Sequence, residues 1–350
     1  MIADLNDGIH YNWEKTLSYA ADVTMVIGAP NKGKTYGIRA YALDRFLKHG
    51  LRFVEVCRTN VERDDVKHGY FDKLALSPAI KGYEFRCSRN VFEMRREGEP
   101  WRACGYIVSM TELQRTKRKT YIDVETIIMD EALIERIDRY HTYLRDEWSI
   151  LSRVVDSCAR EQLDGEIRPH VYLLGNAVDL INPYFQAFGI KGVPPFGYSW
   201  YNGKMCLLHY VEHDEADAAR LTGTLAGRMG SVTGYSDASY GNRFREDMRF
   251  IGEKPPRAKY MMAVRYMGEI YAIWCDYTDG LYYVNGKVPK GAENVFALTR
   301  DDASVNAIAL RRTSKALASI VDMYYAGAVL YDSPRTREGF LNALSLLGVR

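Results

Sequence analysis

Apolar positions in this chain fall into short runs divided by longer amphipathic stretches. Residues 23–27 (VTMVI) form one run that stops at Gly28, and a segment rich in helix formers follows from Lys34 to His49. This order predicts strand, loop, helix. Similar β-rich runs at Phe53–Cys57, Tyr106–Met110, Thr126–Met129 and Val171–Leu174, several separated by helical stretches, predict an α/β sheet with parallel strands. Between about Asp214 and Glu253 the composition shifts to Gly, Ser, Asp and Arg, which reads as a linker or small lid. Beyond it, the Tyr-rich runs YMMAVRYMG, EIYAIWCDY and GLYYVNGK alternate between Gly-containing turns, and helical segments near Ser304–Ala326 and Arg335–Leu347 close an α+β region. The expected organisation is a nucleotide-binding domain over 1–213, a linker over 214–253 and a second domain over 254–350.

The first predicted loop carries chemistry. Gly28, Ala29, Pro30, Asn31, Lys32, Gly33, Lys34 and Thr35 spell G-x-x-x-x-G-K-T between a strand and a helix, the phosphate-cradling P-loop or Walker A pattern. Its glycines let backbone N–H groups wrap phosphates, with the helix N-terminus behind them. Lys34 is then expected to reach the β and γ phosphates of ATP, and the Thr35 hydroxyl to ligate Mg²⁺. The run Thr126–Met129 ends in Asp130 and Glu131, resembling Walker B: Asp130 for the metal shell, Glu131 to polarise the attacking water. Taken alone, such acids serve equally well as helix caps. The runs FVEVC and YIVSM leave room for an extra strand between the P-loop and Walker B strands, the mark of the additional-strand, catalytic-Glu class of ATPases. Asn176 follows the run VYLLG, where a carboxamide is placed to sense γ-phosphate and water or simply to begin a turn.

Charge narrows the partners. Lys plus Arg number 47 against 45 Asp plus Glu, a net +2, so any nucleic-acid contact is expected to be local. The six cysteines form no CxxC pair, which speaks against a zinc ribbon or a disulfide framework. No signal-peptide layout opens the chain and no window approaches the roughly 20 apolar residues of a membrane span, so the expectation is a soluble intracellular protein with no membrane partner. His209-x-x-x-His213 has metal-pair spacing, but CLLHYVEH alternates like a strand and lacks the HExxH glutamate.

The segments YNWEKTLSYAADVTMVIGAPNKGKTYGI, TIIMDE, GNAVDLINPYF and FIGEKPPRAKYMMAVRYMGEIYAIWCDYTDGLYYV, in this order, resemble the DNA-packaging ATPases of phi-29-like podophages over most of the chain. The resemblance implies an FtsK/HerA-like ATPase domain followed by an RNase H-like domain that has lost its nuclease acids. It also implies an ATP- and Mg²⁺-dependent motor that drives double-stranded DNA into a prohead. Such motors work in the host cytoplasm as a homopentameric ring at the portal vertex, with a structural RNA in the type phage. The family's roles then fall on the P-loop, Asp130, Glu131 and Asn176, with two basic residues acting in trans. Lys117 matches one by spacing; Arg160, with Arg153 second, matches the arginine finger. Arg58 agrees with a family arginine, while Asn60 stands where the type protein presents Lys to DNA, leaving Arg63 and Lys67 as substitutes. On residues alone, Lys117 to Lys119 also read as a solvated charge run.

In the last domain Asp276, Asp279, Asp301, Asp302 and Asp322 match no nuclease spacing, which favours a non-cleaving fold whose Arg311 and Arg312 dock RNA, portal or a neighbour. The competing functions are a terminase with a live nuclease, a small-molecule kinase or GTPase, and a non-hydrolytic capsid module. No NKxD guanine motif follows the P-loop.

Overall fold

A computed structural model describes residues 10–30, 32–113, 121–134, 143–159, 167–178, 180–190, 193–212, 250–309 and 315–347, with 225 and 228. The chain divides into two compact units. The first comprises Met1–Leu133, Glu147–Val178 and Val193–Arg243; the second comprises Ile134–Asp146, Asp179–Gly192 and Phe244–Arg350. The first unit thus holds most of the span assigned to nucleotide binding from sequence, but two excursions from that span, 134–146 and 179–192, belong to the second.

Among the described residues the first unit is built on nine strands: β1 (Val23–Ile27), β2 (Arg52–Cys57), β3 (Tyr83–Ser88), β4 (Val91–Arg96), β5 (Arg102–Ser109), β6 (Val124–Met129), β7 (His170–Gly175), β8 (Gly197–Tyr201) and β9 (Cys206–Tyr210). Their order across the sheet is β3-β4-β5-β2-β6-β7-β1-β9-β8. The six strands from β5 to β9 pair in parallel, and antiparallel strands finish both edges. Helices cover both faces of a parallel core, so its strands read as unbroken apolar runs; every residue of β1 is buried.

Helix α1 (Trp13–Ser18) precedes β1, and α2 (Lys34–His49) follows it, burying Ile38, Leu43 and Phe46 at helical spacing before ending at Gly50. Helix α3 (Asn60–Gly69) follows β2 and starts with a capping box, Thr59 with Glu62. The short α4 (Met110–Leu113) closes β5, and α5 (Glu147–Ala159) buries Ile150, Leu151, Val154 and Cys158.

One expectation needs correction. The strand between the P-loop strand and the Walker B strand is neither FVEVC nor YIVSM, which form β2 and β5 on the far side of β6. It is β7, which comes later in the chain. Sequence order does not fix spatial order in a parallel sheet, because each crossover helix can carry the chain past a neighbour.

In the second unit, β10 (Lys259–Tyr266), β11 (Glu269–Asp276) and β12 (Leu281–Asn285) form an antiparallel meander. The strands β13 (Val295–Ala297) and β14 (Ile308–Ala309) extend it in parallel beside β10, and β15 (Val329–Tyr331) pairs in parallel with β12. Helices Lys315–Tyr325 and Pro334–Leu346 flank β15 in the chain, and the excursion 179–192 contributes α6 (Pro183–Phe188). Asn182 caps α6, whose Tyr184 and Phe185 are fully buried. No helix among the described residues is long and apolar enough to cross a membrane.

Candidate functional site

Three adjacent parallel strands, β6, β7 and β1, end side by side, and each delivers one part of the site. The P-loop leaves β1 with Gly28 N–H donating to Gly175 O of β7 at 3.1 Å. Gly33 adopts φ +71° to turn the loop into α2, and a Cβ there would meet the His10 ring at 2.8 Å. Helix α2 has no side-chain N-cap and no acid in its first turn, so its leading N–H groups keep their positive end for an incoming anion.

Lys34 is buried and folds back on the loop. Its Nζ donates to Gly28 O at 2.8 Å, to Ala29 O at 2.7 Å and to Asn176 Oδ1 at 3.3 Å. Burial lowers its pKa to about 8, with Asp130 pulling the other way and Lys32 adding to the fall. Beside it, Thr35 Oγ1 donates to Asp130 Oδ2 at 2.8 Å, so the expected hydroxyl and carboxylate ligands of Mg²⁺ already touch. A buried ammonium capping carbonyls where phosphate oxygens are expected, next to a paired hydroxyl and carboxylate, fits a magnesium nucleotide.

Glu131 occupies the left-handed region at φ +49°. Such a conformation costs roughly 1–3 kcal/mol for a non-glycine residue and persists where neighbours over-determine it. Here its N–H donates to Asp130 Oδ1 at 3.0 Å and its carbonyl accepts from Arg58 at 3.2 Å. Arg58 also donates to Ala132 O at 2.9 Å and to both oxygens of the buried Glu147. Arg58 was legible only through family resemblance. Glu147 carried no signal, because it sits at the start of α5, distant in sequence from every motif. A second pair joins the half-buried Arg39 of α2 to the buried Glu55 of β2, with Tyr70 OH donating to Glu55 at 3.2 Å.

The structure therefore brings Lys34, Thr35, Asp130 and Asn176 together and fixes the backbone of Glu131 beside them. Arg153 is exposed on α5. Asn31, Lys117, Arg160, Arg311, Arg312 and His213 lie outside the described residues. Arg63, named as a substitute DNA contact, pairs with Asp64 and Glu112, and Lys67, the other substitute, pairs with Asp64. His209 lies on β9, hydrogen-bonded to Tyr11 rather than arranged as a metal ligand. Among the described residues no group of three His, Cys, Asp or Glu is placed to hold a metal ion.

A parallel sheet with this loop and these strand ends defines an ATPase-type α/β enzyme. Over residues 5–340 the chain matches the family described as Podovirus DNA encapsidation protein (Gp16), and it belongs to that family. Membership makes it a viral DNA-packaging protein. The DNA packaging protein of Bacillus phage phi29 is 29% identical over 303 residues, covering 86% of each chain. That of Bacillus phage B103 is 30% identical over 288 residues, covering 82% of this chain and 84% of the other. The solved bacteriophage Phi-29 viral genome packaging motor assembly shares the fold with a TM-score of 0.62 at 24% identity, covering 97% of this chain and 99% of that one.

Proposed function

We propose that this chain hydrolyses ATP as an additional-strand, catalytic-Glu motor subunit and couples that hydrolysis to the movement of double-stranded DNA into a prohead. The observation that carries the reading is the convergence of Lys34, Thr35, Asp130 and Asn176 at the ends of three neighbouring strands. Placement of β7 between β1 and β6 supports the additional-strand class.

Thr35 and Asp130 would hold Mg²⁺, which when bound neutralises phosphate charge and orients the triphosphate. On nucleotide binding, Lys34 exchanges the carbonyls of Gly28 and Ala29 for phosphate oxygens. Asn176 stays beside it to sense the terminal phosphate. Glu131 is the carboxylate aimed at the attacking water, its origin fixed by Asp130 on one side and Arg58 on the other. An arginine from a neighbouring subunit, Arg160 or Arg153, together with Lys117, completes the site in a ring, so that firing depends on the neighbour. DNA is gripped through its phosphates, since packaging must ignore sequence.

The second unit reads as an RNase H-like domain without cleavage. Three antiparallel strands followed by two parallel ones beside the first support that fold. The strand-end Asp276 is engaged by Arg257 and by Thr278 N–H, an arrangement suited to structure rather than to metal. Its work is docking to the portal, to a structural RNA or to a neighbouring subunit.

The test pairs two substitutions. Lys34→Ala removes the ammonium and should abolish tight ATP binding by calorimetry. Glu131→Gln keeps size without basicity, so ATP should bind while DNA-stimulated turnover falls at least about a hundredfold. Normal ATP affinity in Lys34→Ala overturns the P-loop reading, and persistent turnover in Glu131→Gln places the general base elsewhere.

A further inference from the structure

The segment just before β1 makes contacts that no role so far uses. Tyr11 N–H donates to Lys32 O at 2.8 Å, and the Trp13 indole N–H donates to Lys34 O at 3.0 Å. These carbonyls flank Gly33, one on each side. Both donors are buried, and their rings pack edge to face at 4.9 Å. The other end of the segment is fastened to the sheet. The Tyr11 hydroxyl is hydrogen-bonded to Thr16 Oγ1 at 2.6 Å and to His209 Nδ1 at 2.7 Å, and Thr16 Oγ1 to Tyr198 OH at 2.9 Å. Tyr198 stacks on the His209 ring at 3.8 Å, and His209 lies directly beside Val26 of β1.

Peptide planarity turns these two carbonyl contacts into a statement about amides. The Lys32 carbonyl shares one rigid plane with Gly33 N–H, and the Lys34 carbonyl shares one with Thr35 N–H. In a trans peptide the two groups point in opposite directions, so a donor that holds the carbonyl outward aims the N–H inward. Amides aimed before the ligand arrives cost less ordering entropy on binding.

We infer that Trp13 and Tyr11 are positioning residues for nucleotide binding, holding the Gly33 and Thr35 amides toward the phosphates from outside the loop. The inference rests on the phosphate-loop reading and adds a role for the segment preceding β1. Trp13 acts on the helix side of the loop. Tyr11 acts on the other side and ties the pair to β9, the strand parallel to β1.

The test is Trp13→Phe in the full chain, which deletes the indole donor while keeping a smaller aromatic ring at this buried position. Two readouts are taken: affinity for a non-hydrolysable ATP analogue by calorimetry, and amide exchange of residues 29–36 in the nucleotide-free protein. Affinity is expected to fall about tenfold, with faster exchange confined to the loop. In turnover assays the loss should appear in KM, with kcat at saturating ATP nearly unchanged. Tyr11→Phe keeps the Lys32 contact but cuts the tie to His209, so a smaller loss of the same pattern is expected, and it serves as the deciding variant if Trp13→Phe does not fold. Unchanged affinity and loop exchange overturn the inference, as does faster exchange spread evenly over the first unit. Lys34→Ala separates the two readings. If it binds the analogue normally, the phosphate-loop reading itself is wrong; if it loses binding while Trp13→Phe and Tyr11→Phe do not, only the positioning role falls.

Discussion

Strands β6 and β11 both run out into an aspartate, and the two carboxylates have opposite surroundings. Asp130 meets the Thr35 hydroxyl and the backbone of Glu131, with the Lys34 ammonium close enough to feel its charge. Asp276 is 1% exposed and takes a guanidinium from Arg257 and an N–H from Thr278. Burial pushes the Asp276 pKa up, yet the Thr278 N–H and Arg257 outweigh it and hold the carboxyl below its ordinary value. Asp302, also buried, accepts from the N–H groups of Met267 and Gly268 and from Gln186. The difference teaches that a strand-end acid is chemically available only when its partners are ones a ligand can replace. A threonine hydroxyl and a folded-back lysine are such partners. The Arg257 guanidinium at Asp276 is not, because giving it up leaves a buried carboxylate without its countercharge.

The comparison breaks most decisively if the first unit's site works without a neighbour. A subunit with Arg160→Ala should bind ATP normally and hydrolyse it about 10³ to 10⁵ times more slowly if that residue is a true finger. Mixing it with Glu131→Gln subunits should restore ATPase activity, since some interfaces then pair an intact Glu131 with an intact arginine. No recovery at any ratio means a role in cis. A loss below about tenfold at Arg160 with a large one at Arg153 moves the finger to α5.

A middle-sized effect sharpens the contrast through protons. Lys34 in the nucleotide-free site titrates at about 8. Phosphate favours the ammonium, so binding above that pH must take up a proton, whereas binding below it need not. ATP affinity should be flat below pH ~8 and fall by up to about tenfold per unit above it. Calorimetry in buffers of different ionisation enthalpy should detect the proton, and Lys34→Arg should flatten the profile to about pH 10. A flat profile in the unsubstituted protein would show that the ammonium is not what phosphate meets.

The smallest expected effect lies in the second unit. Asp302→Asn should lower its stability by about 1–3 kcal/mol in denaturant unfolding, because buried amides lose an ionised acceptor. ATP turnover should stay within about twofold, since independent sites do not couple. A large loss of turnover would show that the two carboxylate environments are coupled.

The sequence by itself marked out the G-x-x-x-x-G-K-T loop and the strand-end pair Asp130 and Glu131, because both follow from local rules. A G-x-x-x-x-G-K-T between an apolar run and a helical stretch needs no distant residue to be recognised. Resemblance along the chain supplied the family and Arg58. The tertiary structure alone decided that β7 and not β2 or β5 separates the two motif strands. It also decided that Arg63 and Lys67 are already paired, that Glu147 locks Arg58, and that Tyr11 and Trp13 hold two loop carbonyls. The reason is the same in each case. Local motifs are written in neighbouring residues, whereas strand order, ion pairing and carbonyl contacts join residues remote in sequence through packing, which periodicity and spacing along one chain do not encode.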